Sequence, residues 1–174
     1  MRTDVPSAEV RQAGSARAWA EVDLGAIEHN VRSILELVRP AQVCAVVKAD
    51  GYGHGAVQVA RAGLSAGASR LAVATAREAH ALRSAGIIAP IQVLGVVLAG
   101  QEDFFLSLDA AATVSTLDEA KRLSAAASRA GRRTPVHLKL DTGMHRLGAP
   151  REEAERIAEF LVSAPELQFE GAMT

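Results

Sequence analysis

Short apolar runs alternate with longer amphipathic stretches along most of the chain. The apolar runs predict strands at 42–47, 70–75, 91–97, 111–116, 135–140 and 167–173. Apolar residues spaced by three and four positions predict helices at 25–38, 56–67, 76–86, 117–131 and 151–164, with a short helix in the less regular segment 101–108. Strands and helices that alternate in this way are typical of parallel βα units in an α/β fold.

The number of strands limits which α/β fold the chain can form. Six parallel strands are predicted from residue 42 onward, and an alternating segment at 19–24 predicts one further strand before the first helix. A closed (β/α)8 barrel needs eight strands and typically about 250 residues, whereas this chain has 174. The pattern therefore predicts either an open six-stranded sheet or about six βα units of a TIM-type (β/α)8 barrel.

Composition narrows the class of protein further. Hydrophobic residues make up 49% of the chain, which is typical of a globular domain, and the formal net charge is −1. Basic residues form no stripe interleaved with aromatic residues, so we expect no nucleic-acid partner. No apolar run approaches the roughly 18–20 residues that cross a bilayer, so we expect no membrane partner.

The first residues and the single cysteine bear on the cellular compartment. Residues 1–16 are polar and lack a hydrophobic signal core, which predicts a disordered arm and a cytoplasmic protein. Cys44 cannot form a disulfide within the chain and lies in an apolar run of the type that is buried on both faces. We therefore expect it to be a small buried hydrophobic side chain in a reducing compartment.

Lys48 ends the first of the six predicted parallel strands, in the sequence AVVKADGYGHG at residues 45–55. The carboxyl ends of parallel strands carry the chemistry of α/β folds because the βα loops converge there. Apolar surroundings favour the neutral amine, which can form a Schiff base with an aldehyde, and Tyr52 offers a phenolic donor for an anionic oxygen. The same spacing also fits a lysine whose stem lies along the strand end, followed by glycines in an ordinary turn.

A second polar cluster follows the fifth predicted strand, in the sequence HLKLDTGMHRLG at residues 137–148. Alternation places His137, Lys139 and Asp141 on one face of the strand. A lysine that pointed into a barrel interior would be costly unless it were paired or modified. Arg146 lies in the following loop, where a guanidinium suits a carboxylate or an oxyanion, although a surface arginine beside a turn would show the same pattern.

Together the two clusters resemble the alanine racemase family of fold-type III pyridoxal-phosphate enzymes. The first family motif reads close to A-V-V-K-A-[DN]-A-Y-G-H-G and stands here as AVVKADGYGHG, with Gly51 where alanine is common. The second motif, K-x-D-T-G-M-x-R-x-G, stands here as KLDTGMHRLG. The segments RAWAEVDLGAIEHN (17–30) and PIQVLG (90–95) also resemble family segments, so the resemblance covers about residues 17–174.

The resemblance implies a role for each matching polar residue. Lys48 would hold pyridoxal 5′-phosphate as a Schiff base, and its freed amine would be the base for the α-proton on one face of the substrate. Tyr52 would hydrogen-bond the cofactor phosphate. Arg146 would lie near the phenolic oxygen of the cofactor and would bind the substrate carboxylate. Lys139 matches a lysine that is often carbamylated in the family, and the resulting anion would orient Arg146.

Three other residues of the matching segments are given lesser roles by the resemblance. Val46 and Leu94 would line the pocket. His54 belongs to the first motif, and its role would be structural rather than catalytic. The resemblance implies no metal ion.

The resemblance also implies parts of an enzyme that this sequence does not contain. In the family the second base is a tyrosine from the C-terminal β-domain of the partner subunit, whereas Tyr52 is the only tyrosine here. The implied domain is an incomplete TIM-type barrel over residues 17–174, without the C-terminal β-domain. The homodimer of the family is expected only for the intact enzyme. We expect alanine as the substrate, a role in supplying D-alanine for peptidoglycan, and negligible activity of the isolated chain.

Three other functions remain open from the sequence. The intact enzyme could be a racemase or aldolase for another amino acid, such as serine, lysine or threonine. The chain could be a non-catalytic pyridoxal-phosphate-binding module, although such proteins lack the Tyr-Gly-His-Gly sequence that follows the lysine segment here. It could also be a fragment without ligand function. Separately, the two unpaired sheet edges and the exposed apolar sheet face of an incomplete barrel would favour association.

Overall fold

Six parallel strands form one sheet, and the strands lie in the order of the sequence. The computed structural model describes residues 18–174, so the arm predicted at residues 1–16 lies outside the described residues. The strands are β1 Cys44–Val46, β2 Arg70–Val73, β3 Ile91–Val96, β4 Ala111–Val114, β5 Thr134–Lys139 and β6 Leu167–Met173. The six strands predicted from residue 42 onward are therefore confirmed, and so is the α/β fold class.

Helices connect the successive strands and precede the first one. They are α1 Leu24–Val38, the single turn α2 Lys48–Tyr52, α3 Ala56–Ser65, α4 Ala76–Ser84, α5 Glu102–Leu106, α6 Leu117–Ala130 and α7 Arg151–Ser163. Each helix predicted from the apolar spacing is present, and the short helix expected in segment 101–108 is α5. Only α2 was not predicted as a helix, and its backbone is unusual.

The core lies between the sheet and the helices that follow its strands. It joins buried strand residues to buried helix residues, among them Leu71, Val73, Val93, Val114, Val136, Leu82, Leu123, Ile157 and Leu161. Alanines occupy several of the buried helix positions, namely Ala60, Ala79, Ala120, Ala126 and Ala127. Small side chains at these positions let the helix backbones approach the sheet closely, which is why alanine-rich helices suit this layer.

Helix α1 is the most exposed of the longer helices. Its apolar stripe, with Ile27, Val31 and Leu35, is half-buried, and no residue of the helix is fully buried. Its main packing partner is α3, and Ile34 remains 47% exposed. Neither α1 nor any other helix within residues 18–174 combines the length and the apolar character needed to cross a membrane.

The strand predicted at 19–24 is absent. Residues 18–23 form no helix or strand, and Asp23 instead caps α1, because its side chain accepts a hydrogen bond from the Ala26 N–H at 3.0 Å. A strand is stabilised by hydrogen bonds to a neighbouring strand, and nothing in the described part of the chain pairs with this segment. The prediction was therefore wrong, because an alternating pattern does not by itself supply a partner.

Strand β1 is shorter and more exposed than its sequence predicts. Cys44 and Val46 are exposed and Ala45 is half-buried, so the expectation of a strand buried on both faces, with Cys44 in the core, was wrong. Among the described residues β1 pairs with β2 alone, so it is an edge strand of the sheet. An edge strand has a neighbour on one side only, and its side chains are correspondingly less covered.

A cluster of polar side chains from β2, β5 and β6 shows that the sheet curves. The Arg70 guanidinium on β2 donates to Glu170 on β6 at 2.7 Å and lies 3.3 Å from Nε2 of His137 on β5. Strands β2 and β6 are separated by three other strands in the sheet, so their side chains can meet only if the sheet curls toward closure. The described chain is therefore a partial barrel, and the open-sheet alternative does not hold.

The protonation of His137 makes this cluster sensitive to pH. Burial and the Arg70 cation lower the pKa of His137, and Glu170 opposes them. Arg70 donates to Nε2, so the neutral ring carries its proton on Nδ1, which is buried without a hydrogen-bond partner. Because the pKa is lower in the folded than in the unfolded chain, the unfolded chain binds the proton first as pH falls. The stability that the neutral ring contributes at neutral pH is lost below about pH 6.5.

We therefore expect the variant His137→Gln to lose less stability than the parent chain when the pH falls from about 7.5 to about 5.5. Urea unfolding at the two pH values measures this loss. The exposed His29 on α1 supplies the control His29→Gln, which should follow the parent. Equal losses in all three proteins would contradict the assigned protonation.

Candidate functional site

A cavity of about 560 Å³ opens at the carboxyl ends of the strands. Residues from the ends of β1, β2, β3, β5 and β6 line it, namely Lys48, Ala74, Leu94, Gly95, Lys139, Leu140, Asp141, Thr142, Met144, Arg146, Leu147, Met173 and Thr174. The structure thus brings Lys48 and Leu94 together with Lys139 and Arg146, which come from distant parts of the sequence. The volume of the cavity suits a small-molecule ligand.

Lys48 begins α2, whose backbone forms a left-handed turn, a conformation that is rare for residues other than glycine. Five consecutive residues, 49–53, have positive φ, and three of them carry side chains: Ala49 at 51°, Asp50 at 53° and Tyr52 at 57°. The left-handed conformation costs roughly 1–2 kcal/mol for each residue that is not glycine. Such strain persists only where surrounding contacts hold it, and it is concentrated at functional sites.

Hydrogen bonds within the lysine segment hold part of this turn. The Asp50 carboxylate accepts from the Ala56 N–H at 2.8 Å, and this contact ties the turn to the start of α3. Nδ1 of His54 lies 2.9 Å from the Gly51 carbonyl oxygen, within the same turn. These contacts support the structural role expected for His54. Asp50, for which no role was predicted, also holds the turn.

A contact from the next βα unit also reaches the lysine segment. The N–H of Ala49 donates to the carboxylate of Glu78, in the first turn of α4, at 2.8 Å. Sequence reasoning missed this residue. A signal was available in Thr75-x-x-Glu78, which is a capping-box pattern, but that pattern does not show that the same carboxylate reaches a second loop.

The loop that carries Arg146 is organised by Asp141. One oxygen of the Asp141 carboxylate accepts from the N–H groups of Gly143 and His145, each at 3.0 Å, and the other lies 2.9 Å from Nδ1 of His145. The two backbone hydrogen bonds and the histidine ring lower the pKa of Asp141. The Ala149 N–H donates to the carbonyl of Lys139 at 2.8 Å, so the loop returns to the end of β5.

Three cationic side chains face the cavity. Lys48 and Lys139 are half-buried and Arg146 is exposed. Within residues 18–174 none of the three forms a salt bridge. Asp141 has the one carboxylate side chain in the lining, and its oxygens are engaged by its own loop. The cavity therefore favours an anionic ligand.

Two of the predicted site residues lie at the margin of this arrangement. The ring centroid of Tyr52 is 5.9 Å from Nζ of Lys48, and the tyrosine is 59% exposed. Val46 is 40% exposed on β1 and does not line the cavity, whereas Leu94 does. Tyr52 therefore lies beside the lysine, and Val46 is not among the residues that line the cavity.

A curved parallel sheet of successive βα units is the architecture of a partial (β/α) barrel, and the cavity at its carboxyl end is lined by a lysine and further cations. Residues 22–174 match the alanine racemase N-terminal domain, and the chain belongs to this family. The assignment made from the two sequence motifs is thereby confirmed, and with it the TIM-type barrel as the fold of the family.

Individual relatives agree with the family assignment. The chain is 50% identical over 137 residues to the alanine racemase of Desulforamulus reducens, which covers 78% of this chain and 37% of the relative. The crystal structure of alanine racemase from Bacillus anthracis with bound L-Ala-P superposes with a TM-score of 0.80 at 39% identity, over 88% of this chain and 40% of that one. A histidine racemase from Leuconostoc mesenteroides also superposes, with a TM-score of 0.80 at 29% identity, over 86% and 40%. The chain thus spans about two fifths of the length of these relatives.

Proposed function

We propose that this chain forms the lysine-bearing part of a pyridoxal-phosphate-dependent racemase that interconverts L-alanine and D-alanine. The observation that carries the proposal is the placement of Lys48, on a strained turn, beside the same cavity as Lys139 and Arg146. A cytoplasmic location, a homodimer in the intact enzyme and a role in supplying D-alanine for peptidoglycan belong to the same proposal.

The residues present fit pyridoxal 5′-phosphate. Its aldehyde requires an amine that is not held in an ion pair, and Lys48 forms none within the described chain. Its phosphate and phenolic oxygens require cationic or hydrogen-bonding partners, which Arg146 and Tyr52 would supply. When bound, the cofactor withdraws electrons from the α-carbon of an amino acid and so makes the α-proton acidic enough for a side-chain base.

The chain's own groups would then bind the substrate and move one proton. Arg146 would pair with the carboxylate of the amino acid and orient its α-carbon. The Lys48 amine would accept the α-proton on one face and return it there in the reverse direction. Lys139 is the residue that we propose to be carbamylated, since a carbamate would remove a half-buried cation and orient Arg146. Leu94 lines the same cavity and would contribute an apolar wall.

Racemisation also needs a base on the opposite face of the α-carbon. Tyr52 is the only tyrosine of the sequence, and it lies beside Lys48 rather than across from it. As the resemblance to the alanine racemase family implies, we propose that the second base is a tyrosine of the partner subunit in the intact enzyme. We expect the isolated chain to bind the cofactor without measurable racemisation.

A second candidate is a racemase of the same fold acting on another amino acid. The structural similarity to a histidine racemase supports it, since that similarity covers 86% of this chain. The same cavity residues would serve either substrate, because the amine, the carboxylate and the α-proton are common to both.

Titration with pyridoxal 5′-phosphate tests the proposal. We expect a Lys48-dependent absorbance band at ~420 nm, a Schiff base that borohydride reduction traps on Lys48, and complete loss of the band in Lys48→Ala. Lys121 is an exposed lysine on α6, so Lys121→Ala is the matched control and should keep the band. The trapped peptide is identified by mass spectrometry.

The same titration has an outcome that contradicts the proposal. A band that persists in Lys48→Ala, or that Lys121→Ala also loses, would show that the aldehyde reacts with exposed amines rather than with a built site. Absence of any band in the parent chain would mean that these residues do not form a cofactor site on their own.

A further inference from the structure

The carboxylate of Glu78 joins two loops at the carboxyl end of the sheet. One oxygen accepts from the Ala49 N–H, at 2.8 Å, directly after Lys48 in the sequence. The other oxygen accepts from the N–H groups of Ala74 at 2.7 Å and Thr75 at 3.0 Å, which follow strand β2. One side chain thus links the turn after β1 to the loop after β2, and both loops border the same cavity.

The helix-capping role of Glu78 uses only one of these oxygens. The chain contains a second capping box, in which Glu119 caps α6 together with Thr116. There a single oxygen accepts from the N–H groups of Ser115 at 2.7 Å and Thr116 at 3.1 Å. Within residues 18–174 Glu119 makes no bond to the loop of another strand, so the contact to Ala49 is a function of Glu78 beyond capping.

The hydrogen bond between Glu78 and the Ala49 N–H lies where the backbone changes from right-handed to left-handed φ. Val47 still has negative φ, −122°, and Ala49 is the first residue of the left-handed run, with φ of 51°. The peptide N–H that Glu78 holds is therefore the one that joins Lys48 to the strained residues. A hydrogen bond at this peptide restricts the direction in which the Lys48 side chain leaves the backbone.

We propose that Glu78 is a positioning residue for Lys48. It holds the left-handed turn against its conformational cost and so directs the lysine amine into the cavity shared with Arg146. The inference rests on the proposed function for its chemical meaning. The hydrogen bond itself can be tested without the cofactor.

The variant Glu78→Gln separates positioning from capping. Glutamine keeps one acceptor oxygen, which can remain on the N–H groups of Ala74 and Thr75, and replaces the other with an NH₂ donor facing the Ala49 N–H. Glu119→Gln is the matched control, because all of its loop contacts use a single oxygen that glutamine retains. Thr75→Ala is a further control that weakens the cap of α4 while leaving the carboxylate in place.

Two measurements on the 174-residue chain test the proposal. We expect the Ala49 amide to exchange with solvent hydrogen roughly tenfold faster in Glu78→Gln, by nuclear magnetic resonance, because a hydrogen bond to a charged group is lost. We also expect roughly tenfold weaker formation of the borohydride-trapped pyridoxal 5′-phosphate adduct at Lys48. Glu119→Gln and Thr75→Ala should match the parent in both.

Each outcome decides the inference. Unchanged Ala49 exchange in Glu78→Gln, or the same acceleration in Glu119→Gln, would overturn it, as would faster exchange with no change in the adduct that the parent forms. If the parent forms no adduct at Lys48, the expectation that the isolated chain binds the cofactor fails. The Ala49 exchange rate then still decides whether Glu78 holds the turn.

Discussion

Replacing Gly148 with alanine is expected to destabilise the folded chain by about 4 kcal/mol or more, because the site has no room for a side chain. A Cβ built on Gly148 lies 2.6 Å from the Asp141 nitrogen and from the Leu140 carbonyl carbon, both of which are backbone atoms. Its φ of +138° is also one that L-residues rarely adopt. The clash falls where the Arg146 loop returns to β5, so the loop should open.

Gly143 provides a matched control for the same loop. Its φ of +128° imposes a similar backbone strain, but a Cβ there meets nothing within 4 Å. Gly143→Ala should therefore cost only about 1–3 kcal/mol. Urea unfolding of both variants separates the clash from the strain. If the two variants lose equal stability, the close approach of Gly148 to Leu140 and Asp141 is not the limiting contact.

Replacing Arg83 with methionine is expected to cost about 3 kcal/mol, because its guanidinium satisfies four backbone carbonyls at once. It donates to Ile87 at 2.7 Å and to Ala89, Leu108 and Asp109 at 2.8 Å each. These carbonyls belong to the connections that enter β3 and β4. Burial lowers the pKa of Arg83 and Asp109 opposes this, so the cation is partly desolvated and its hydrogen bonds are correspondingly strong.

Arg61 is the control for the loss of a long cationic side chain. It makes one hydrogen bond to a backbone carbonyl, that of Ala85, at 2.9 Å, and it is exposed. Arg61→Met should change the free energy of unfolding by less than about 1 kcal/mol. Chemical unfolding measures both variants. A loss as large for Arg61→Met as for Arg83→Met would contradict the view that the four carbonyls depend on Arg83.

The sequence predicts which residues form the site better than it predicts how they are arranged. Lys48 and Lys139 follow from their positions at strand ends, because parallel strands place their carboxyl ends at the same edge of a sheet. The side-chain alternation of β5, with Val136 and Leu138 buried and His137 and Lys139 half-buried, also follows from the period of two. None of this predicts a left-handed turn after Lys48, since only Gly51 and Gly53 among its five residues favour positive φ.

The errors have a common physical origin. An alternating pattern at 19–24 and an apolar run at 42–47 describe what a segment is compatible with, whereas strand formation and burial depend on what lies beside it. Cys44 is exposed because β1 has one neighbouring strand in the described chain. The residues of a strand do not show how many strands will lie beside it.

The sequence by itself determined the order of βα units, the helices and strands formed by the runs from residue 25 onward, and the family to which the two motifs belong. These properties depend on residues close together in the chain, whose periodicity and turn chemistry are local. Tertiary structure alone decided that Glu78 reaches Ala49, 29 positions away, and that Arg70 meets Glu170, 100 positions away. The first contact depends on the pairing of β1 with β2. The second depends on how the whole sheet curves, because curvature is the sum of strand pairing and helix packing over many residues.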